Sequence, residues 1–220
     1  MGLFKWGKER PISNTALSQT QDTAYRESYR RLCYNILALP LAEAKRPKVL
    51  LLNGPKDGQG TTTAALNVAE ALSAVHQQVL LIEADCRKPQ MEKRLHCSSE
   101  KSFNAFFDCQ ANVAQCIERR ASQPFDFILS KPSDALIFPA DALVRLKGEL
   151  ADLPYDWILI DTPPADQSAD ALALSQIANG VLLVVRKLDA TRQATRSLLA
   201  NYQQNHVQVV GSVLTFDNPY

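Results

Sequence analysis

"VLLLNGPKDGQGTTTAALNVAEAL", residues 49–72, joins an apolar run to a glycine-containing loop and then to a helical pattern. The first run lacks polar alternation, which is typical of a strand buried on both faces of a parallel sheet. Gly58 and Gly60 allow a tight, open backbone, and the helix that follows would point its free N–H groups into the loop. The stretch therefore predicts a phosphate-binding loop between a strand and a helix.

The rest of the chain repeats this alternation of buried strand and helix. Further apolar runs are QVLLIEAD (78–85), FDFILSK (125–131), DWILIDTPP (156–164), GVLLVVRK (180–187) and VQVVGSVLTF (207–216). Helices are expected around 61–76, 139–152, 168–178 and 190–204. We therefore expect an α/β fold, a doubly wound and mostly parallel sheet flanked by helices. Ligands bind beyond the carboxyl ends of such strands, which places the chemistry just after Asn53, Glu83 and Ile160.

The composition indicates one globular domain. Of the 220 residues, 46% are hydrophobic and 21% charged, near the average for soluble proteins. Lys and Arg total 24 against 23 Asp and Glu, so the charge gives no electrostatic case for a nucleic-acid partner. No apolar run approaches the roughly 18 residues that span a bilayer, and the N-terminus lacks the apolar stretch of a signal peptide. The five cysteines show no CxxC spacing, which favours reduced thiols in a cytoplasmic protein.

We expect the chain to divide into a tail and a domain. Residues 1–20 are polar and without sustained periodicity, which predicts a flexible tail that touches a membrane only peripherally. Residues 21–220 form the domain, which opens with a helix over 21–40. In that helix, apolar or aromatic residues at 25, 29, 32, 36 and 37 share one face, and Pro40 ends it.

The loop lacks the lysine that usually reaches the β- and γ-phosphates, because Thr61 stands at that position. Thr62 stands where a hydroxyl holds Mg²⁺. A hydrogen bond to a charged group contributes about 1.5 to 3 kcal/mol, so losing the lysine should weaken ATP affinity by roughly one to two decades. Phosphoryl transfer is more demanding, since one cation changes its rate by about 10³ to 10⁵. The residues expected to bind ATP or ADP are Gly58, Gln59, Gly60, Thr61, Thr62, Thr63 and, as discussed below, Lys56.

Three carboxylates follow buried strands and should share one crevice. Glu83 and Asp85 close the second apolar run, and Asp161 closes the fourth. Acidic side chains at such strand ends hold Mg²⁺ and the attacking group in phosphoryl transfer. The sequence therefore predicts Glu83, Asp85 and Asp161 as catalytic residues, with Mg²⁺ held by Thr62, Asp85 and Asp161.

Together these motifs resemble the bacterial tyrosine kinases, P-loop proteins that control capsule and exopolysaccharide synthesis. LLIEADCRKPQ is similar to the family's L-I-D-A-D-x-R-x-P motif, with Glu83 in place of the first Asp, and DWILIDTPP is similar to its Walker B motif. ESYRRLCYNI (27–36) resembles the family's oligomerisation motif E-x-x-R-x-x-R-x-N-I, with Cys33 replacing the second Arg. The resemblance covers roughly residues 22–216.

The resemblance implies a P-loop NTPase fold in a separate cytosolic chain that regulates polysaccharide polymerisation and export. Its partner would be a membrane-embedded chain-length or export adaptor, which would hold it at the inner face of the cell membrane. Homo-oligomers would form through Glu27 and Arg30. Family members usually end in a cluster of tyrosines that they phosphorylate in trans, whereas this chain ends in TFDNPY, with Tyr220 alone. The lack of a tyrosine cluster, together with Thr61 in place of the lysine, predicts a weak or inactive kinase that acts through nucleotide and partner binding.

Two alternatives stay open. Lys56 lies five positions before Thr61, where the related partition and septum-site ATPases keep a lysine that reaches phosphate across a dimer. An active protein-tyrosine kinase that uses Lys56 is therefore one alternative. A partition-type positioning ATPase is the other, although that group lacks the ESYRRLCYNI helix.

Overall fold

The computed structural model describes residues 3–5, 17, 20, 22–41, 47–133, 138–187 and 192–215. The strands are β1 (Leu3–Lys5), β2 (Lys48–Asn53), β3 (Val79–Glu83), β4 (Asp126–Ile128), β5 (Trp157–Asp161), β6 (Gly180–Arg186) and β7 (Val209–Thr215). The helices are α1 (Thr23–Leu37), α2 (Thr61–Ser73), α3 (Met91–Arg94), α4 (Phe103–Phe107), α5 (Val113–Cys116), α6 (Ala140–Ala151), α7 (Asp170–Ser175) and α8 (Arg192–Gln204).

The strands form one sheet in the order β1-β7-β6-β2-β5-β3-β4, and all neighbouring pairs are parallel. Strand β5 lies between β2 and β3, with Asp161 opposite both Leu52 and Glu83 in the register. The carboxyl ends of these three strands therefore meet at one edge of the sheet. The predicted α/β class with a parallel sheet flanked by helices is confirmed.

The sheet is buried on both faces, which explains its continuously apolar strands. In β2, Leu50 and Leu52 lie in the core covered by α1 and α2, whereas Val49 and Leu51 lie in the opposite core. All residues of β3 and β5 are buried. Burying one large apolar side chain stabilises the fold by about 1.5 to 3 kcal/mol, so both faces favour Val, Ile and Leu.

Helix α1 packs against α2 on one face of the sheet. Asp22 begins α1, because its side chain accepts hydrogen bonds from the N–H groups of Ala24 and Tyr25. Tyr29, Leu32 and Ile36 form part of its buried face. The helix predicted over 21–40 is thus present, and its packing places α1 beside the helix that follows the glycine-containing loop.

Several elements were not predicted. Strand β1 lies within the segment expected to be a tail and pairs with Ser212–Leu214 of β7. The short helices α3, α4 and α5 are also absent from the sequence-based expectation. Tyr220 and the rest of residues 216–220 lie outside the described residues. Within the described ranges, every helix is too short or too polar to cross a bilayer.

Candidate functional site

The loop between β2 and α2 forms a cradle of backbone N–H groups. Gly58 and Gly60 adopt φ angles of 75° and 84°, which glycine reaches without steric cost, and Gly60 caps α2. Among the described residues, none accepts a hydrogen bond from the N–H groups of Thr61, Thr62 or Thr63. Free N–H groups at the start of a long helix bind anions, so the loop offers a phosphate site.

Gln59 anchors this loop to the neighbouring strands. Its side chain is 1% exposed, and its Oε1 accepts a hydrogen bond of 2.7 Å from the Arg186 N–H. Its main-chain carbonyl accepts a hydrogen bond of 3.0 Å from the Thr215 hydroxyl. The Gln59 Nε2 has no hydrogen-bond partner in the described part of the chain. The loop is therefore tied to the ends of β6 and β7 by these two hydrogen bonds.

Thr61 packs deep in the loop, against Gly54. A Cβ atom at Gly54 would lie 3.0 Å from the Thr61 Oγ1, from the Gln59 Cβ and from the Val184 carbonyl oxygen. Only glycine fits there without a shift of its neighbours. The position expected to carry the lysine thus ends in a short hydroxyl near the base of the loop, and residue 61 supplies no positive charge.

Asp161 is a buried carboxylate without a partner. It is 1% exposed, and neither carboxylate oxygen has a hydrogen-bond partner among the described residues. Burial raises its pKa well above the usual value, and repulsion from Glu83 and Asp85 adds to that rise. The nearby Thr62 hydroxyl and the charge of Arg94 lower the pKa and oppose the shift only in part. An orphaned carboxylate at this depth is costly unless a cation joins it.

The residues fit a Mg²⁺ ion bound together with a nucleotide. The Thr62 hydroxyl lies near the Asp161 carboxylate in this crevice. Both groups are oxygen ligands, which Mg²⁺ prefers. Within the described residues, His, Cys, Asp and Glu form no group of three that could hold a metal by themselves. The remaining ligands would therefore be phosphate and water oxygens, which is the usual arrangement for Mg²⁺ at phosphate sites.

Glu83 is occupied by backbone groups. Its Oε1 accepts hydrogen bonds from the N–H groups of Gln90 (2.6 Å) and Met91 (2.7 Å), and its Oε2 accepts one of 3.0 Å from Ser130. Burial raises its pKa, and these three N–H groups oppose the shift. Glu83 thus fixes the start of α3 and the segment after β4. Its catalytic role stays a prediction.

Asp85 lies half-buried at the mouth of the crevice. Its Oδ1 accepts hydrogen bonds from the N–H groups of Arg87 (3.2 Å) and Lys88 (3.0 Å), which shapes the turn after β3. Burial raises its pKa, and the two N–H groups counter that rise. Asp85 follows β3, whose carboxyl end lies at the same edge of the sheet as Asp161, and its role in binding Mg²⁺ stays a prediction.

Charged side chains surround the loop, and one of them was missed. Lys56 is half-buried and forms no hydrogen bond or ion pair within the described ranges. Asp57, which was not predicted as a site residue, is exposed and accepts a hydrogen bond of 2.7 Å from the Gly58 N–H. Its other oxygen accepts one of 2.9 Å from the Lys88 ammonium, the main reason that the pKa of Asp57 is lowered. Asp57 therefore places a negative charge inside the phosphate loop.

Arg94 was also missed. Its Nη1 donates a hydrogen bond of 2.9 Å to the Thr63 hydroxyl, and its Nη2 donates one of 2.9 Å to the Gln90 side chain. No periodic or motif signal identifies Arg94 in the sequence, because the position of α3 depends on the Glu83 contacts. The structure nevertheless brings this arginine to the first turn of α2.

The predicted site residues that the structure brings to this crevice share one edge of the sheet. They are Lys56, Gly58, Gln59, Gly60, Thr61, Thr62, Thr63, Glu83, Asp85 and Asp161. The roles assigned to them in binding and catalysis stay predictions. Their arrangement suits the binding of a phosphorylated ligand with a divalent cation.

Comparisons with known proteins agree with this geometry. A family model for the AAA domain matches residues 47–210. The tyrosine-protein kinase wzc of Salmonella typhimurium is 31% identical over 170 residues, which cover 76% of this chain and 23% of that protein. The chain thus spans about a quarter of the length of this curated relative.

Two solved structures share the fold. The kinase domain of Escherichia coli tyrosine kinase ETK matches with a TM-score of 0.79 at 20% identity, covering 96% of this chain and 82% of that one. The septum site-determining protein MinD from Pyrococcus horikoshii, complexed with Mg-ADP, matches with a TM-score of 0.63 at 16% identity, covering 76% and 70%. On the family match and the phosphate-loop geometry, the chain belongs to the AAA domain family, and its curated relatives there include bacterial tyrosine-protein kinases.

Proposed function

We propose that this protein binds ATP or ADP with Mg²⁺ and transfers phosphate weakly or not at all. One observation carries the proposal: the N–H groups of Thr61, Thr62 and Thr63 have no acceptor among the described residues, whereas Thr61 leaves the loop without the usual lysine. Backbone N–H groups and a helix N-terminus bind phosphate in the ground state. The charge that develops in phosphoryl transfer needs a cation as well, and here residue 61 supplies none.

Different groups of the site would bind the phosphates and the Mg²⁺ ion. The N–H groups of Thr61, Thr62 and Thr63 would hold the phosphates, and Gln59 would keep the loop in shape. Thr62, Asp85 and Asp161 would hold Mg²⁺, which neutralises phosphate charge when bound. The unpartnered oxygens of Asp161 support this role, because a cation would remove the cost of its burial.

The biological setting follows from the resemblance to bacterial tyrosine kinases. We infer that the protein regulates exopolysaccharide or capsule polymerisation and export at the inner face of the cell membrane, through a membrane-embedded adaptor. It would assemble with further copies through Glu27 and Arg30. Glu27 contacts Arg30 (2.8 Å) and Arg31 (3.2 Å) within α1. Assembly would replace these exposed ion pairs by ion pairs between copies, so the affinity between copies would depend on salt concentration.

An active kinase is the second candidate. Lys56 has no hydrogen-bond or ion-pair partner among the described residues, so its ammonium is available to a phosphate on the same or a neighbouring copy. ATP turnover of the parent and of Lys56→Ala, with and without the cytosolic tail of the adaptor, separates the two proposals. Turnover that depends on Lys56 would support the active kinase. The partition-type alternative predicts ATP-dependent positioning on a membrane or on DNA.

Calorimetric titration with ADP and ATP, with and without Mg²⁺, tests the binding proposal. We expect micromolar affinity that improves with Mg²⁺, and we expect Thr61→Lys to tighten ATP binding by about ten- to a hundredfold. Gly60→Val provides a control with a distorted loop, because a β-branched residue is strained at a positive φ. No binding at millimolar ligand would contradict the proposal.

A further inference from the structure

Arg94 places a positive charge against the first turn of α2. Its Nη1 lies 2.9 Å from the hydroxyl of Thr63, the third residue of that helix. One helical turn rises about 5.4 Å, so the guanidinium lies within about a turn of the free N–H groups that face the loop. The charge therefore reaches the phosphate site from the side of the helix.

Contacts at both ends of α3 fix the position of the Arg94 guanidinium. Arg94 is the last residue of α3, and Glu83 holds the start of that helix through the N–H groups of Gln90 and Met91. The Gln90 side chain accepts a second hydrogen bond from Arg94 at 2.9 Å. Because the planar guanidinium donates to both Thr63 and Gln90, its rotation is restricted.

Three carboxylates lie in the crevice near Arg94. Glu83, Asp85 and Asp161 line it, and Thr61 replaces the lysine that would balance them. Arg94 is half-buried, and its charge acts on both Asp161 and Glu83. An arginine keeps its charge even when partly buried, and its attraction for phosphate is weakly screened there.

Resting on the function proposed above, we propose that Arg94 is a positioning residue of the nucleotide site, supplying beside Thr63 the positive charge that helps hold the phosphates of a nucleoside di- or triphosphate. It acts through the first turn of α2 and through the balance of charge in the crevice. No contact between Arg94 and the reacting phosphate is required. This charge would explain how the loop retains a nucleotide without a lysine at position 61.

Calorimetric titration of ADP into four proteins, at low and high salt, tests this role: the parent, Arg94→Gln, Arg94→Lys and Lys93→Gln. Arg94→Gln should weaken ADP binding about tenfold at low salt and by nearly as much at high salt, because a half-buried charge is weakly screened. Arg94→Lys keeps the charge but loses the fork that contacts Thr63 and Gln90, so its ADP affinity should lie between those of the parent and Arg94→Gln. Lys93 is exposed on the same helix, so Lys93→Gln is a matched control for the loss of one charge and should bind ADP as the parent does.

Thermal unfolding without nucleotide separates positioning from stability. If Arg94→Lys loses as much ADP affinity as Arg94→Gln, and both variants unfold at a lower temperature than the parent, the role is structural and the proposal is overturned. If Arg94→Gln does not fold, Thr63→Val replaces it and should weaken ADP binding about threefold, and unchanged binding would overturn the proposal. A parent that binds ADP as tightly as Arg94→Gln overturns this inference alone, whereas a parent that binds no ADP overturns the proposed function with it.

Discussion

Asp161 on β5 stands opposite Glu83 on β3 in the register of the sheet, and each is only 1% exposed. The two carboxyl groups are equally buried, but they differ in their hydrogen-bond partners. Glu83 accepts three backbone N–H groups, whereas no described residue donates to Asp161 in hydrogen-bonding geometry. Glu83 is thus stabilised by hydrogen bonds within the fold, whereas the burial of Asp161 is not compensated by a hydrogen bond from the described residues.

The cost of burying Asp161 should appear in the stability of the ligand-free protein. Because the folded pKa of Asp161 is raised, the folded state binds its proton more tightly than the unfolded state. Its contribution to stability is therefore greatest below the ordinary pKa of aspartate and is lost as pH rises towards the raised value. Asp161→Asn, which cannot ionise, should gain stability over the parent as pH rises from about 4.5 to 7.5.

Urea unfolding without Mg²⁺, repeated across that pH range, measures this difference. Asp152→Asn, at an exposed position after α6, is the control and should track the parent at every pH. A gap between Asp161→Asn and the parent that does not change with pH would show that Asp161 ionises normally in the folded protein.

Asp57 should oppose nucleotide binding. Its carboxylate takes the Gly58 N–H and lies where phosphate oxygens would approach, so like charges repel. Asp57→Asn keeps the size and the hydrogen-bond acceptor but removes the charge, and should tighten ADP binding by about three- to tenfold. Titration of both proteins at low salt checks this, with Asp141→Asn on the exposed start of α6 as the control. Weaker binding by Asp57→Asn would mean that its ion pair with Lys88 supports the loop.

Cys33 should be the weak point of the oligomerisation motif. Its side chain is 1% exposed, its thiol donates to the Ala71 carbonyl at 3.5 Å, and burial raises its pKa to about 11. A cavity of about 340 Å³ beside it is lined in part by Arg26, Arg30 and Glu70, so a longer side chain has room to reach the surface.

Restoring the arginine should therefore promote assembly. We expect Cys33→Arg to fold with a stability loss of about 1 to 2 kcal/mol and to sediment as a larger oligomer than the parent. Cys33→Met fills the same space without charge and is the control for analytical ultracentrifugation. Equal sedimentation of the two variants would argue against a charged contact at this position.

The parallel sheet and its loop were predictable because their signals are local. Residues 49–52 of β2 are apolar without interruption, since both faces of the sheet are covered, and Gly58 and Gly60 mark the loop in the sequence itself. The acidic strand ends also followed from the topology, because parallel strands bring Asp161 and Glu83 to the same edge.

The missed elements depend on distant contacts. Helix α3 has four residues, too few to show a helical period, and the Glu83 carboxylate decides where it begins. Arg94 could not be placed without that contact. Strand β1 has three residues and pairs with β7 at the other end of the chain, so its propensity alone carries little information. The distinction between Glu83 and Asp161 likewise rests on hydrogen bonds that a sequence does not show.

In the proposed function, the loop holds a nucleotide but lacks the charge to transfer its phosphate. The most direct measurement is phosphotransfer and ATP turnover with γ-labelled ATP, on protein whose ATP binding has been measured in the same preparation. We predict that the parent binds ATP yet turns it over near background, and that Thr61→Lys raises turnover by about a hundredfold or more. Brisk turnover by the parent that vanishes in Asp161→Ala would contradict this account.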